Sequence, residues 1–366
     1  MAFNNIFDKK KVLVTGHTGF KGSWLCTWLN ELGATVTGVS NEIIGEPSNY
    51  SASKIADLID SRFIDIKNFD LFKNVVEEVQ PDFIFHLAAQ ALVRPSYEEP
   101  LETILTNAIG TTNLLEILRE LNPEVTAIFI TSDKVYDNVE WIWGYREIDK
   151  IGGSDPYSAS KGMAELAIKS YFNSFFKSDE FNVRIAVSRA GNVIGGGDWA
   201  RDRIVPDCFR SWSQNEVVEI RNPNSTRPWQ HVLEPLSGYL SLAENLYNDK
   251  KFHGEVYNFG PAAEQNYSVK ELIAVMEKTW GRTKWKDVSN NNHFHEAGLL
   301  KLNCDKALSE LHWRPVLCFN ETVTMTVEWY KEFYENKVNN MSLFSVKQIN
   351  SYTRLANLRG LSWSND

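Results

Sequence analysis

An apolar, β-branched stretch, Lys11–Thr15, runs straight into Thr15-Gly-His-Thr-Gly-Phe-Lys-Gly22, and a helical pattern, Lys21–Leu32, follows at once. Three glycines at a strand–helix junction constrain this chain more than any other feature. Gly16 permits a tight turn, Gly19 lets backbone come close to a pyrophosphate, and Gly22 lets the helix pack against the strand. The helix N-terminus adds partial positive charge at the same place. In that context the pattern predicts a dinucleotide site, with Thr18 and Phe20 of the same turn among its contacts.

The rest of the first half alternates apolar strands with amphipathic stretches. Strands are expected at Thr35–Val39, Arg62–Asp65, Phe83–His86, Ala127–Thr131 and Val183–Ser188, and helices at Phe69–Val79, Leu101–Leu121 and Tyr157–Phe176. Such alternation predicts an α/β doubly wound parallel sheet with helices on both faces. Beyond Arg189 the rhythm breaks. Gly191–Gly197 is glycine-rich, and short strands (Val217–Arg221, Val256–Phe259) mix with helices (Leu233–Leu246, Val269–Thr279, Glu321–Glu335). The expected division is a nucleotide-binding domain over 1–190, a smaller C-terminal α/β substrate lobe over 191–340 with segments returning to the first domain, and a helix and tail over 341–366. The tail carries an amphipathic stretch, Phe344–Leu358, then a polar end expected to fray. The two long helical segments are apolar on more than one side, so a homodimer is expected.

Apolar residues make up 43% and charged residues 23%, within the usual range for a globule. The net charge of −9, with no basic stripe, argues against nucleic-acid binding but leaves room for an anion held by a few local arginines. No apolar run reaches the roughly 18 residues of a membrane helix, and no secretory leader is expected ahead of Lys9. Cys26, Cys208, Cys304 and Cys318 are scattered without a zinc-like spacing. The cytoplasm is the expected compartment. His293 and His295 alternate as on a strand, but with no third ligand nearby no metal is expected.

A dinucleotide site usually carries an acid about 20 residues on, at the end of the second strand. Here the chain reads Val39-Ser-Asn-Glu42, leaving Ser40 to meet the ribose, and no arginine follows to clamp a 2′-phosphate. NAD is therefore expected rather than NADP. Asp65 and Ile66, at the expected end of the third strand, could cap the adenine edge. Ala88, Ala89 and Gln90, after the fourth, are small enough to let a cofactor lie close, and Asn107 completes the expected set.

Tyr157 and Lys161, in Asp155-Pro-Tyr-Ser-Ala-Ser-Lys161, share one face of a helix. The ammonium and a bound nicotinamide's charge are both expected to pull the phenol below its usual pKa of about 10. Ser132, Asp133 and Lys134 follow the fifth strand, where doubly wound sheets place ligands. Asn192 follows the sixth. Arg203 and Arg227, with Arg221 and Arg94, offer guanidinium forks for a diphosphate, and Trp199 and Trp229 could wall the pocket. His231 is expected to be structural.

These motifs, with Arg189-Ala-Gly-Asn-Val-Ile-Gly-Gly-Gly-Asp-Trp199, resemble the extended short-chain dehydrogenase/reductase family. Trp143-Gly-Tyr-Arg-Glu147 and Arg227-Pro-Trp-Gln-His231 bring the likeness closest to its branch of nucleotide-sugar 4,6-dehydratases that act on CDP-glucose. Sister branches carry Asp-Glu where this chain has Asp133-Lys134. The likeness covers about residues 9–335. It implies a Rossmann-like fold, retained NAD and a nucleotide-diphosphate sugar, with Tyr157 as C4 base supported by Ser132 and Lys161. It further implies that Lys134 takes the C5 proton and Asp133 protonates the departing C6 hydroxyl, so the first must be neutral and the second protonated. Open alternatives are a GDP-, UDP- or dTDP-linked substrate, a C4 epimerase, and a dinucleotide-sensing protein with a silent site.

Overall fold

The computed structural model describes residues 2–289 and 300–365. Seven strands form one sheet: β1 (Lys11–Thr15), β2 (Thr35–Ser40), β3 (Asp60–Phe63), β4 (Phe83–His86), β5 (Val125–Ile130), β6 (Val183–Ala190) and β7 (Val256–Phe259). Their order is β7-β6-β5-β4-β1-β2-β3, and every pairing is parallel. The order reverses between β1 and β4, which opens a crevice at their carboxyl ends.

Side chains alternate strictly between the two faces. Val12, Val14, Phe83, Phe85, Ile128 and Ile130 enter one apolar core; Leu13, Ile84, Ala127, Phe129 and Ile185 enter the other. The first core is covered by helix α1 (Phe20–Glu31) and the second by α2 (Phe69–Val79), α3 (Gly110–Leu121) and α4 (Pro156–Tyr171). Ahead of α3 the helix begins at Pro100 and passes through a π turn, Leu105–Ile109. Another π turn, Phe172–Phe176, extends α4. The third strand ends at Phe63, so Asp65 and Ile66 lie in the turn beyond it and not at a strand end as expected.

The chain beyond β6 contains α5 (Ile204–Ser213), α6 (Leu233–Asn248), α7 (Val269–Trp280), α8 (Phe319–Tyr334) and α9 (Ser342–Leu358). Of these, α6 packs under β5 and β6 and leads into β7, the edge strand of the main sheet. The expected fraying of the polar end is corrected by one side chain. Trp363 is buried, stacks on Phe3 at 4.9 Å between centroids, and lies 5.9 Å from the Tyr352 ring.

Glu234, buried on α6, fastens the C-terminal segments. Its carboxylate accepts the N–H groups of Val316 and Leu317, at 2.9 and 2.6 Å, and the hydroxyl of Tyr352 at 2.7 Å. Burial outweighs these donors and pushes its pKa from 4.5 up to about 7. A folded-state value above the unfolded one gives stability that is fully present below pH 4.5 and lost as pH rises through about 7. The difference is on the order of 3 kcal/mol. Glu234→Gln keeps an acceptor but cannot ionise. Thermal unfolding between pH 5 and 8 should therefore show a Tm that falls with pH in the wild type and a flatter profile in the variant.

Candidate active site

The glycine turn sits at the crevice. Gly16 has a φ of +77°, and a Cβ there would stand 2.8 Å from the Ala88 amide nitrogen on the far side of the switch point. A Cβ on Gly22 would fall 2.1 Å from the Gly16 carbonyl oxygen. Only glycines allow this close backbone approach, the kind of turn that dinucleotide sites use. Ser40 and Thr18 meet each other: the Thr18 N–H donates to Ser40 Oγ at 3.3 Å, and the Thr18 hydroxyl to the Glu42 carbonyl at 2.7 Å. Phe20 opens α1. The Asp65 carboxylate accepts the Lys67 N–H at 2.9 Å, which holds its own turn, while Ile66 is buried. Ala88 donates its N–H to Thr15 Oγ1 at 3.1 Å, with Ala89 next to it. Asn107, inside the π turn, accepts the Gln90 N–H at 2.8 Å and donates to the Gln90 carbonyl at 3.0 Å and Ser160 Oγ at 2.8 Å. The small loop after β4 is thereby fixed to α4.

At the carboxyl end of β5, Ser132 caps a single turn: its Oγ accepts the Lys134 N–H at 3.2 Å and donates to Asp133 Oδ1 at 3.0 Å. Asp155 caps α4 by accepting the Ser158 N–H at 2.9 Å, with Pro156 in the first turn, which brings Tyr157 to the crevice. Ser132, Asp133, Tyr157 and Lys161 are all buried.

Burial dominates their electrostatics. It raises Asp133 above the usual carboxylate range, against the pull of Lys134, Ser132 and Lys21. It lowers Lys161 to about 8, aided by Lys21 and opposed by Glu165. It pushes the Tyr157 phenol up to about 12, with Ser132 and Arg203 working the other way and Asp133 adding to the rise. The expected drop for Tyr157 drew on a bound nicotinamide's charge as well as on Lys161. Within the protein alone, desolvation of the phenolate exceeds every favourable neighbour.

Lys21 was in view in the glycine motif without a role. The structure brings its amine within 3.5 Å of the Tyr239 hydroxyl, and burial lowers it to about 8, with Asp133 raising and Arg203 lowering it. Glu165 was also missed, although it continues the spacing of Tyr157 and Lys161 by one more helical turn.

On the far side, a cleft is lined by Asp133, Lys134, Asn192, Arg227, Pro228 and Leu300. The remaining arginines are paired with carboxylates. Arg203 donates to Asp198 at 2.8 Å, while Arg94 and Arg221 both donate to Asp202, at 3.1 and 2.8 Å. Trp199 donates its indole N–H to the Tyr334 hydroxyl at 2.9 Å and packs against Trp329 and Phe333 of α8, so it belongs to an aromatic core and is absent from the cleft lining. Trp199 is half-buried, whereas Trp229 is buried, its N–H on the Tyr267 carbonyl at 2.9 Å. His231 is buried, with Nδ1 accepting the Leu233 N–H at 3.3 Å. His293 and His295 lie outside the described residues, among which no group of three potential metal ligands occurs. Among the same residues no helix is long and apolar enough to cross a membrane.

The cradle makes a direct prediction. Gly22→Ala must push backbone away from backbone, so it should cost about 1–3 kcal/mol in a denaturant titration and abolish dinucleotide binding measured by calorimetry.

The family model for GDP-mannose 4,6 dehydratase matches residues 13–326. The CDP-glucose 4,6-dehydratase of Salmonella typhimurium is 46% identical over 355 residues, covering 96% of this chain and 98% of that protein. Among solved structures, an epimerase from Methanothermobacter thermautotrophicus aligns with a TM-score of 0.79 at 23% identity, covering 91% of this chain and 96% of that one. The dTDP-glucose 4,6-dehydratase of Bacillus anthracis, solved in complex with NAD, aligns at 0.72 and 22%, covering 88% and 97%. These two share the fold. The family match and the Salmonella relative together identify the chain as a member of the GDP-mannose 4,6 dehydratase family, within the extended short-chain dehydrogenase/reductases.

Proposed function

We propose that the chain is an NAD-retaining 4,6-dehydratase that converts CDP-glucose to CDP-4-keto-6-deoxyglucose. The observation that carries this reading is the burial of Ser132, Asp133, Tyr157 and Lys161 together at the carboxyl edge of the sheet, beside the glycine cradle. A C4 epimerase has use for Tyr157 but none for an Asp133-Lys134 pair. The relation to the Salmonella enzyme supports CDP-glucose over other nucleotide sugars.

NAD, held by the Gly16–Gly22 turn with Thr18, Phe20, Ser40, Asp65, Ile66, the Ala88–Gln90 loop and Asn107, would supply a hydride acceptor at C4 and a donor at C6, along with a positive charge near the phenol. The protein's own groups handle the protons. Tyr157 accepts the C4 hydroxyl proton, with the Ser132 hydroxyl and the Lys161 ammonium favouring its ionised form. Ketone formation at C4 acidifies the C5 hydrogen, which Lys134 removes. Asp133, whose burial favours the neutral acid, protonates the C6 hydroxyl as it leaves as water. Asn192, Arg203 and Arg227 would hold the sugar and diphosphate, Arg94 and Arg221 joining them on exchange of Asp202 for phosphate. Trp199 would shape the lobe from behind.

In the same reading, residues 1–190 serve mainly the cofactor and 191–340 mainly the substrate, with α6 and β7 returning to the sheet and 341–366 forming the final helix and tail. The enzyme works in the cytoplasm as a homodimer. Tyr97, Leu101, Ile109, Met163 and Leu166, exposed on and ahead of α3 and on α4, supply the apolar face that dimerisation covers.

Incubation with CDP-, dTDP-, UDP- and GDP-linked glucose or mannose tests the substrate by the absorbance of the keto product. Turnover should be fastest with CDP-glucose; preference for another nucleotide removes that assignment. Tyr157→Phe should lower kcat by about 10²–10⁴-fold with cofactor and substrate still bound, and near-normal turnover would sink the base assignment. Lys134→Ala should permit C4 oxidation and stall elimination, seen as reduced nicotinamide that persists. Formation of the deoxy sugar at the normal rate by that variant would require a different base.

A further inference from the structure

Arg189, at the carboxyl end of β6, and Glu165, on α4, are almost fully buried, with side chains 2% and 3% exposed. Arg189 Nε donates to both Glu165 oxygens, at 2.8 and 3.1 Å, and Nη2 donates to the same carboxylate. Its Nη1 donates elsewhere, to the Tyr136 hydroxyl at 2.7 Å and the Glu147 carbonyl at 3.1 Å. The Thr131 hydroxyl donates to Glu165 Oε1 at 2.6 Å.

The positions of these partners give the arrangement its meaning. Glu165 lies one helical turn beyond Lys161, which lies one turn beyond Tyr157, so the three share a face. Thr131 immediately precedes Ser132, and Tyr136 stands two residues after Lys134. One guanidinium and its carboxylate thus grip the helix that carries the phenol and both ends of the loop that carries Asp133 and Lys134. A buried ion pair is a weak source of stability, because desolvation offsets its attraction. Its forked, planar hydrogen bonds do fix direction, which a methylene chain or a point charge cannot do.

We infer that Arg189 and Glu165 are positioning residues for the reaction proposed above, holding Tyr157 and Lys161 in register with Asp133 and Lys134. The inference rests on the dehydratase reading for its catalytic consequence, but the tether itself can be read without turnover.

Hydrogen–deuterium exchange of the full-length wild type, Arg189→Lys and Tyr136→Phe, paired with kinetics on CDP-glucose, tests it. Arg189→Lys keeps a cation for Glu165 but cannot also reach Tyr136 and the Glu147 carbonyl. Exchange should rise in residues 131–136 and in the amino-terminal half of α4, with β1 and β4 unchanged, and kcat should drop about 10²-fold at little change in KM. Tyr136→Phe leaves the ion pair in place and cuts the loop arm, together with the hydroxyl's own bond to Asn258 Oδ1 of β7 at 2.8 Å. It should raise exchange in 131–136 and at most around Asn258 of β7, with α4 unchanged, and let reduced nicotinamide accumulate during turnover. Unchanged exchange in both segments, or an even rise across the whole sheet, overturns the inference whatever the kinetics. So does the expected exchange pattern with kcat intact in Arg189→Lys. If the pattern appears and the wild type dehydrates none of the nucleotide sugars, the proposed function fails and the tether between helix and loop stands.

Discussion

Desolvation at the carboxyl edge of the sheet governs everything the crevice can do. Asp133, Tyr157 and Lys161 are removed from water together, and each is driven toward its neutral form. For Asp133 this favours a proton donor. For Tyr157 it opposes the base that an oxidation at C4 demands. The same burial therefore favours a neutral acid at one position and resists an ionised phenol at the other, where the Ser132 hydroxyl and the Arg203 guanidinium are what the fold offers in return. In the proposed reaction, a cationic ligand ring against the phenol would tip the balance toward the ionised form.

The distribution of work among segments follows from the sheet order. Because β1 and β4 lie side by side at the reversal, Gly16 and Ala88 come within contact of each other although many residues separate them in sequence. The ends of β5 and β6 are the next two positions outward, and these carry Ser132-Asp133-Lys134 and Arg189. The later chain closes the assembly from beneath. Helix α6 packs under β5 and β6, and its Glu234 gathers the backbone at Val316 and Leu317 and the hydroxyl of Tyr352 on α9. One buried carboxylate thus fastens the last helix to the layer on which the site rests.

Much of this was readable in the residues. The alternation of Val12, Leu13 and Val14, or of Phe83, Ile84 and Phe85, announces strands buried on both faces, and the glycine spacing announces the first turn. What escaped sequence reasoning was non-local. Val256–Phe259 reads as a strand, but its neighbour, β6, lies far back in the chain and no local signal names it. Desolvation at Tyr157 escaped because helix spacing reveals Lys161 but says nothing about water. The arginines were visible but their partners were not: Arg94, Arg203 and Arg221 pair with Asp202 and Asp198, which only the folded loop brings near. Trp363 belonged to a polar tail by composition and is held by Phe3 from the opposite terminus.

The wide turn at Leu105–Ile109 accommodates one residue more than a regular α-helix would over the same rise. Excising a single residue there would restore ordinary winding with the flanking turns still in phase, and the bulge that aims Asn107 would be lost. Asn107 would swing off Ser160, the Gln90 loop would lose its anchor, and the wall of the crevice would shear away from α4. Length, as much as side-chain identity, is therefore constrained in this helix: the extra residue is what turns Asn107 toward both Gln90 and Ser160.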